Sequence, residues 1–190
     1  MRAFDRTSMY GYISVAFLEV LFGDRMKNER GNKTLIAYAS RGGVTREYSE
    51  IIAEVLRGKY GHEVDTVDIR KEKTPDLSDY DNIILGTGVR MQRVYKEGLS
   101  FLKNDFGEKK VAVFLSSNEA GTPESYDDAV RKYMNPIREN HPNLNLIEIE
   151  GFGGRIRVLG KTTVDTSDPG KVEGWAEQLG EKLRTPTDTP

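Results

Sequence analysis

Between Lys33 and Tyr60 the hydrophobic pattern changes period across a single short turn. Lys33 to Ser40, KTLIAYAS, is an apolar, β-prone run and reads as a buried strand. The stretch that follows carries Tyr48, Ile51, Ile52, Val55 and Leu56 at the i, i+3, i+4, i+7, i+8 spacing of an amphipathic helix. Ser40-Arg41-Gly42-Gly43-Val44-Thr45 joins the two. A strand that turns this tightly into a helix presents unpaired backbone N–H groups and the positive end of a helix dipole. Such a place suits phosphate. It is equally what an ordinary βα turn looks like when it needs glycine for its backbone angles.

The chain has 190 residues, which sets one domain as the default and allows a full core without staples. It has no cysteine, which excludes disulfides, Cys-ligated zinc, Cys-bound iron–sulfur clusters and cysteine nucleophiles. The only histidines, His62 and His141, are far apart in sequence; both read as surface residues, and no metal site is expected. The net charge of −2 gives no overall pull toward nucleic acid. These properties fit a cytoplasmic protein.

Residues 1–32 stand apart as an apolar segment followed by a polar linker. Tyr10 to Phe22 is apolar nearly all round but contains Glu19, and it is shorter than the ~20 residues of a membrane span. Three readings stay open: a helix packed on the domain or a partner, an interfacial anchor giving membrane contact through residues 9–23, or an extension upstream of a start at Met26. Residues 33–184 form the domain, and 185–190 read as a frayed tail.

Downstream the chain alternates. Gly61 stops the first helix, and Glu63 to Ile69 is a strand. Asn82 to Gly86 is a strand, Thr87 to Val94 a loop, and Tyr95 to Phe106 a helix. Lys110 to Ser116 is a strand, and Thr122-Pro123-Glu124 opens a helix as N-cap, first-position proline and first-turn acid. Pro136 should kink or shorten that helix. Leu144 to Ile149 is the fifth strand, followed by a loop with Gly151, Gly153 and Gly154. Asp168-Pro169 opens a last helix that carries Trp175 on its apolar stripe. Five strands alternating with helices imply a parallel α/β sheet covered on both faces. Its site lies beyond the carboxyl ends of the strands, where the loops at 40–45, 86–95 and 116–122 converge.

Two nucleotide motifs fail on spacing. Gly86-Thr87-Gly88-Val89-Arg90-Met91 begins like a dinucleotide fingerprint but has Met91 in place of the third glycine. Gly160-Lys161-Thr162 ends like a P-loop, but its first glycine would fall on Arg155.

Lys33 to Leu183 resembles the flavodoxin-like family. The matching features are LIAYAS, the loop Ser40 to Thr45, DLSDYDNIILGTGV at 76–89 and VAVFLSS at 111–117. The resemblance implies a three-layer flavodoxin-like fold, with a five-stranded parallel sheet of order 2-1-3-4-5, and FMN as cofactor. It also implies that the first loop holds the phosphate. Ser40, Gly43 and Thr45 match the family pattern; Gly42 lacks its middle hydroxyl and Val44 replaces its asparagine, which moves hydrogen bonds onto backbone or Arg41. The ring loops it implies are Gly86, Thr87, Gly88, Val89, Arg90, Met91 and Tyr95 on one side. On the other are Ser116, Ser117, Asn118, Glu119, Ala120 and Gly121. Within the family, SRGGVTREYSEIIAEVL, GTGVRMQRVYKEGLSFL and FGGRIRV are similar to the flavodoxin-type protoporphyrinogen oxidases. That likeness implies an oxidoreductase of tetrapyrrole biosynthesis, which passes electrons from a porphyrinogen through FMN to a quinone-type acceptor.

Charge gives a separate hint. Arg41, Arg90, Arg93, Lys96, Arg155 and Arg157 fall in or beside these loops. A basic rim attracts an anionic small-molecule substrate, with Arg90, Arg93 and Arg155 as its receivers. Glu119, Glu124, Asp127 and Asp128 weigh against this beside the third loop. An FMN-dependent enzyme, an electron carrier serving a redox protein partner, and a flavin-free interaction domain all remain possible. No acid or base catalyst can be assigned from the sequence.

Overall fold

The computed structural model describes residues 32–184. The apolar segment, the membrane contact expected of residues 9–23 and the tail at 185–190 lie outside the described residues. Strand β1 is Lys33–Ala39 and leads into helix α1, Val44–Tyr60. Next come β2 (Glu63–Asp68), β3 (Asn82–Arg90), β4 (Arg93–Val94) and α2 (Lys96–Phe101). Then follow β5 (Lys110–Ser116), α3 (Pro123–Ala129), α4 (Asn135–Asn140) and β6 (Leu146–Phe152). Strands β7 (Arg155–Val158) and β8 (Lys161–Asp165) form a separate hairpin before α5 (Pro169–Leu183).

The main sheet runs β2-β1-β3-β5-β6, all parallel, with β4 folded back antiparallel on β3. With the added β4 set aside, this is the expected 2-1-3-4-5 order. The central strands are buried on both faces, and the period-2 alternation of side chains divides them between two cores. Leu35, Ala37, Ile83, Leu85, Val113 and Leu115 face α2, α3 and α4. Ile36, Ile84, Ala112 and Phe114 face α1 and α5. Trp175 belongs to the second core, as its helical stripe implies. There Phe152 sits 5.6 Å from both the Tyr48 and Trp175 ring centroids and 6.1 Å from Phe114, in edge-on and tilted pairings.

Three expectations need correction. The strand expected to end at Gly86 continues to Arg90, because Gly86 and Gly88 receive aromatic rings instead of turning the chain. A Cβ on Gly86 would come within 2.3 Å of the Phe114 ring, and one on Gly88 within 2.6 Å of the Tyr95 ring. The helix expected to run to Phe106 ends at Phe101, where the Asn104 side chain takes the Phe101 carbonyl. Thr122 is the N-cap residue of α3, with Pro123 and Glu124 in its first turn, as expected; its hydroxyl pairs with that of Ser125, which donates onward to the Glu119 carbonyl. His62 is buried, with its Nδ1 2.9 Å from Thr34 Oγ1, which also accepts from Asn82 Nδ2.

Pro136 has a different consequence from a break. Residues Val130–Met134 widen into a π-turn, in which the Asn135 N–H reaches back to the Val130 carbonyl, and α4 then continues. Among the described residues, no helix is long and apolar enough to cross a membrane, and no cluster of His, Cys, Asp or Glu could hold a metal ion.

The aromatic cluster should carry much of the second core. Phe152→Ala should lower the unfolding free energy by about 3–5 kcal/mol in a denaturant titration. A loss under about 1 kcal/mol would show that the cluster does not hold α5 to the sheet.

Candidate functional site

The turn from β1 to α1 is closed by glycine. Gly43 is the N-cap at φ 95°, a left-handed angle that disfavours side chains, and no side chain caps the helix. Its own N–H donates to Ser40 Oγ at 3.2 Å, and the first intrahelical bond runs from the Glu47 N–H to the Gly43 carbonyl at 2.9 Å. The amides of Val44, Thr45 and Arg46 therefore precede the helical ladder and stand at the positive end of the dipole. Arg70 donates to the Ser40 carbonyl and fixes the turn from outside.

The candidate phosphate residues divide. Ser40 frames the turn, with its hydroxyl oxygen accepting from it. Val44 and Thr45 point inward and are buried. Thr45 Oγ1 lies 2.8 Å from Ser116 Oγ, so this hydroxyl ties the first loop to the end of β5. What the turn offers an anion is mainly backbone. Gly42 leaves open space there, since a Cβ would meet only the Arg155 carbonyl, at 3.7 Å.

The second loop is a hairpin with Met91 and Gln92 at its tip. Of its candidates, Gly86 and Thr87 are interior, Gly88 is the bed for Tyr95, Val89 is half-buried, and Arg90 and Met91 are exposed. The Arg41 guanidinium stands 5.2 Å from the Tyr95 ring centroid and 3.3 Å from Glu97 Oε1. Arg70 approaches the same Glu97 oxygen at 3.6 Å. A hydrogen bond from its own backbone N–H, and then Arg41, Arg70 and Lys96, hold the Glu97 carboxyl below the usual carboxylate range. Burial pushes the Tyr95 phenol up, opposed by Arg41 and Arg90. Arg41, Arg90, Arg93, Tyr95, Lys96 and Glu97 are among the residues lining a cavity of about 570 Å³. Glu97 was missed by sequence reasoning; its only signal was its place in the first turn of α2, where acids are favoured.

The third loop splits. Ser116 stays with the first loop through Thr45, and Ser117 packs against Gly154, where a Cβ would lie 3.0 Å from the Ser117 carbonyl carbon. Ala120 and Gly121 instead line a second cavity of about 250 Å³ with Tyr126 and Lys171. Glu119 pairs with Lys132 through one oxygen. Asn118 Oδ1 is buried without a hydrogen-bond partner in the described structure.

Arg155 is not a substrate receiver. Its guanidinium reaches Asp165 at 2.8 Å, Glu47 at 3.1 and 3.3 Å, and Ser167 at 3.4 Å. It clamps the root of the β7–β8 hairpin to the first turn of α1. The hairpin also settles the Gly160-Lys161-Thr162 motif, which lies in a β-turn and strand and does not itself open a helix. Likewise Gly86 to Arg90 lie within β3, not in a strand-to-helix turn.

An uncapped glycine turn beyond the carboxyl edge of a sheet of this order is the architecture of a mononucleotide-binding α/β domain. The family model for the flavodoxin domain matches residues 35–166. The chain belongs to the flavodoxin-domain family. Its fold is that of flavodoxin 1 from Bacillus cereus, with a TM-score of 0.55, 21% identity, and coverage of 80% of this chain and 97% of that one. Flavodoxin 2 from the same organism is 29% identical, with a TM-score of 0.54 and coverage of 79% and 99%. A 71-residue stretch is 28% identical to protoporphyrinogen IX dehydrogenase (quinone) of Escherichia coli K12. That match spans 37% of this chain and only 39% of the relative.

Membership of this family implies a flavin. The described residues fit one: the first-turn amides of α1 have no side-chain cap, Tyr95 lines the cavity beside that turn, and Asn118 Oδ1 lacks a protein partner.

The Arg155 clamp can be read by titration. The Ser167 hydroxyl first, then Arg155, hold the Asp165 carboxyl down to about 2. A depressed carboxylate contributes its stability fully above the ordinary value near ~4 and loses it as pH falls through the folded value. In a carboxyl NMR titration Asp165 should titrate at about 2, and Ser167→Ala and Arg155→Gln should each move it upward. An unmoved midpoint in both variants would rule out the clamp.

Proposed function

We propose that the chain is an FMN-dependent oxidoreductase that takes electrons from a carboxylate-bearing, porphyrinogen-type substrate and delivers them to a quinone-type acceptor. The observation that carries this reading is the cavity rimmed by Arg90, Arg93 and Lys96 beside Tyr95. The partial likeness to the Escherichia coli dehydrogenase supports the same substrate class and acceptor.

In this reading the first-turn amides of α1 hold the FMN phosphate, within the frame set by Ser40, Gly43 and Thr45. Arg41 lies beside the turn, with part of its charge already balanced by Glu97. Tyr95 and Asn118 meet the ring. When bound, FMN supplies the two-electron chemistry that no side chain here carries. Arg90, Arg93 and Lys96 draw the substrate carboxylates to the open side of the cavity and orient the ring system to be oxidised. In balance, two electrons and two protons leave the substrate for each quinone converted to quinol.

A second reading, an electron carrier, is favoured by one observation. The likeness to the Bacillus cereus flavodoxins covers nearly all of those chains, whereas the likeness to the dehydrogenase covers a minor part.

The deciding experiment is anaerobic oxidation of protoporphyrinogen by the FMN-loaded full chain with a soluble quinone. Turnover is expected, and Arg90→Gln with Arg93→Gln should raise KM roughly tenfold while leaving kcat within about twofold, as loss of uniform binding does. FMN-loaded protein that does not oxidise the porphyrinogen but exchanges electrons with a redox protein would establish the carrier instead.

A further inference from the structure

Among the described residues, the non-glycine positions with positive φ are Met91 at 51°, Gln92 at 59° and Leu159 at 49°. All three lie in the turns of the β3–β4 and β7–β8 hairpins. With Gly160 at 80°, each turn places two left-handed residues in succession, a geometry that suits Asn and Gly. A large apolar side chain at the first position is conformationally unfavourable. Packing does not compensate: Met91 is 87% exposed and Leu159 is 99% exposed. Below Leu159, the cross-strand pair Ile156 and Val164 adds further exposed apolar surface. Neither local geometry nor the core explains why these tips are apolar.

Both hairpins leave the carboxyl edge of the sheet. Only β5 separates β3 from β6, so at ~4.8 Å per strand their roots are roughly 10 Å apart. The charges flanking the tips are positive: Arg90 and Arg93 around Met91, and Lys161 beside Leu159. Arg90, Arg93 and Lys161 are exposed. The acids near the roots are already paired, Glu97 with Arg41 and Arg70, and Asp165 with Arg155. The exposed acids Glu124 and Asp127 belong to α3, not to either tip.

We propose that the two tips dock the protein on an anionic lipid bilayer, with Met91 and Leu159 entering the headgroup layer and Arg90, Arg93 and Lys161 meeting its phosphates. Single apolar residues on convex turns, ringed by cations, suit a soft, penetrable layer. A protein partner would need a broad complementary patch, on the order of 800 Å² a side, which two separate turns do not present. The docking shares Arg90 and Arg93 with the proposed substrate rim, but vesicle binding reads it apart from turnover, and it would hold the candidate site where apolar acceptors dissolve.

The test is co-sedimentation of the full chain with vesicles of phosphatidylglycerol mixed into phosphatidylcholine, against pure phosphatidylcholine. The protein should bind the anionic vesicles far more strongly, and added salt should weaken that binding. Leu159→Asn and Met91→Asn should each lower partitioning about tenfold. Asn tolerates the left-handed turn, so unchanged thermal unfolding should accompany that loss. Lys161→Gln should cost roughly fivefold on anionic vesicles only. Binding that survives both tip variants would place the membrane contact elsewhere in the chain, residues 9–23 included, and overturn the proposal. No vesicle binding at all would overturn it too. So would a dimer that Leu159→Asn abolishes in ultracentrifugation without any vesicle binding, which would assign the tips to a second copy.

Discussion

The burial of β1, β3 and β5 on both faces is the constraint on which the rest depends. Strands with no solvent face must be covered by helices above and below, and parallel neighbours must be joined by crossovers. Every crossover then begins at the same edge, so the loops after β1, β3, β5 and β6 gather there whatever their sequences. The site is a consequence of that gathering. Residues far apart in the chain, such as Thr45 and Ser116, meet across it through a hydroxyl pair.

The edge is also pinned. Tyr48 donates to the Gly153 carbonyl at 2.8 Å and accepts from the Asp168 N–H at 3.3 Å, which ties α1 to the segments on either side of the β7–β8 hairpin. Burial pushes its phenol up to about 12, so it stays a neutral donor through the physiological range. Arg155 adds the ionic clamp from the hairpin root to Glu47. The glycine turn therefore rests on a fixed base, while Arg90, Arg93 and Lys96 are exposed at the edge.

The parts of the fold that follow from a strong period were legible in the sequence. The change from a strand to a 3.6-residue helix at Ser40–Thr45 and the apolar stripe carrying Trp175 are such parts. The strand order came from family resemblance, because periodicity does not order strands. What escaped lacked a burial signal. Strand β8 is exposed along its whole length, so its hairpin shows no buried alternation to find. Gly86 and Gly88 look like turn residues, yet their missing side chains make room for Phe114 and Tyr95, contacts that exist only in three dimensions. His62 looked superficial because a polar residue at a strand entry usually is, and its partner Thr34, which Asn82 in turn bonds, lies on the neighbouring strand. At the candidate site, the glycine turn and the cations could be read from residue type alone. The engagement of Arg155 by Glu47 and Asp165 could not, since it depends on how the hairpin folds back.

The central claim is that the uncapped start of α1 holds a phosphate. Parallel binding titrations with FMN and with riboflavin, which lacks that phosphate, test it most directly. FMN should bind at least a hundredfold more tightly, on the order of 3 kcal/mol for several charge-assisted backbone hydrogen bonds. Equal affinity for the two would show that the turn is only a turn.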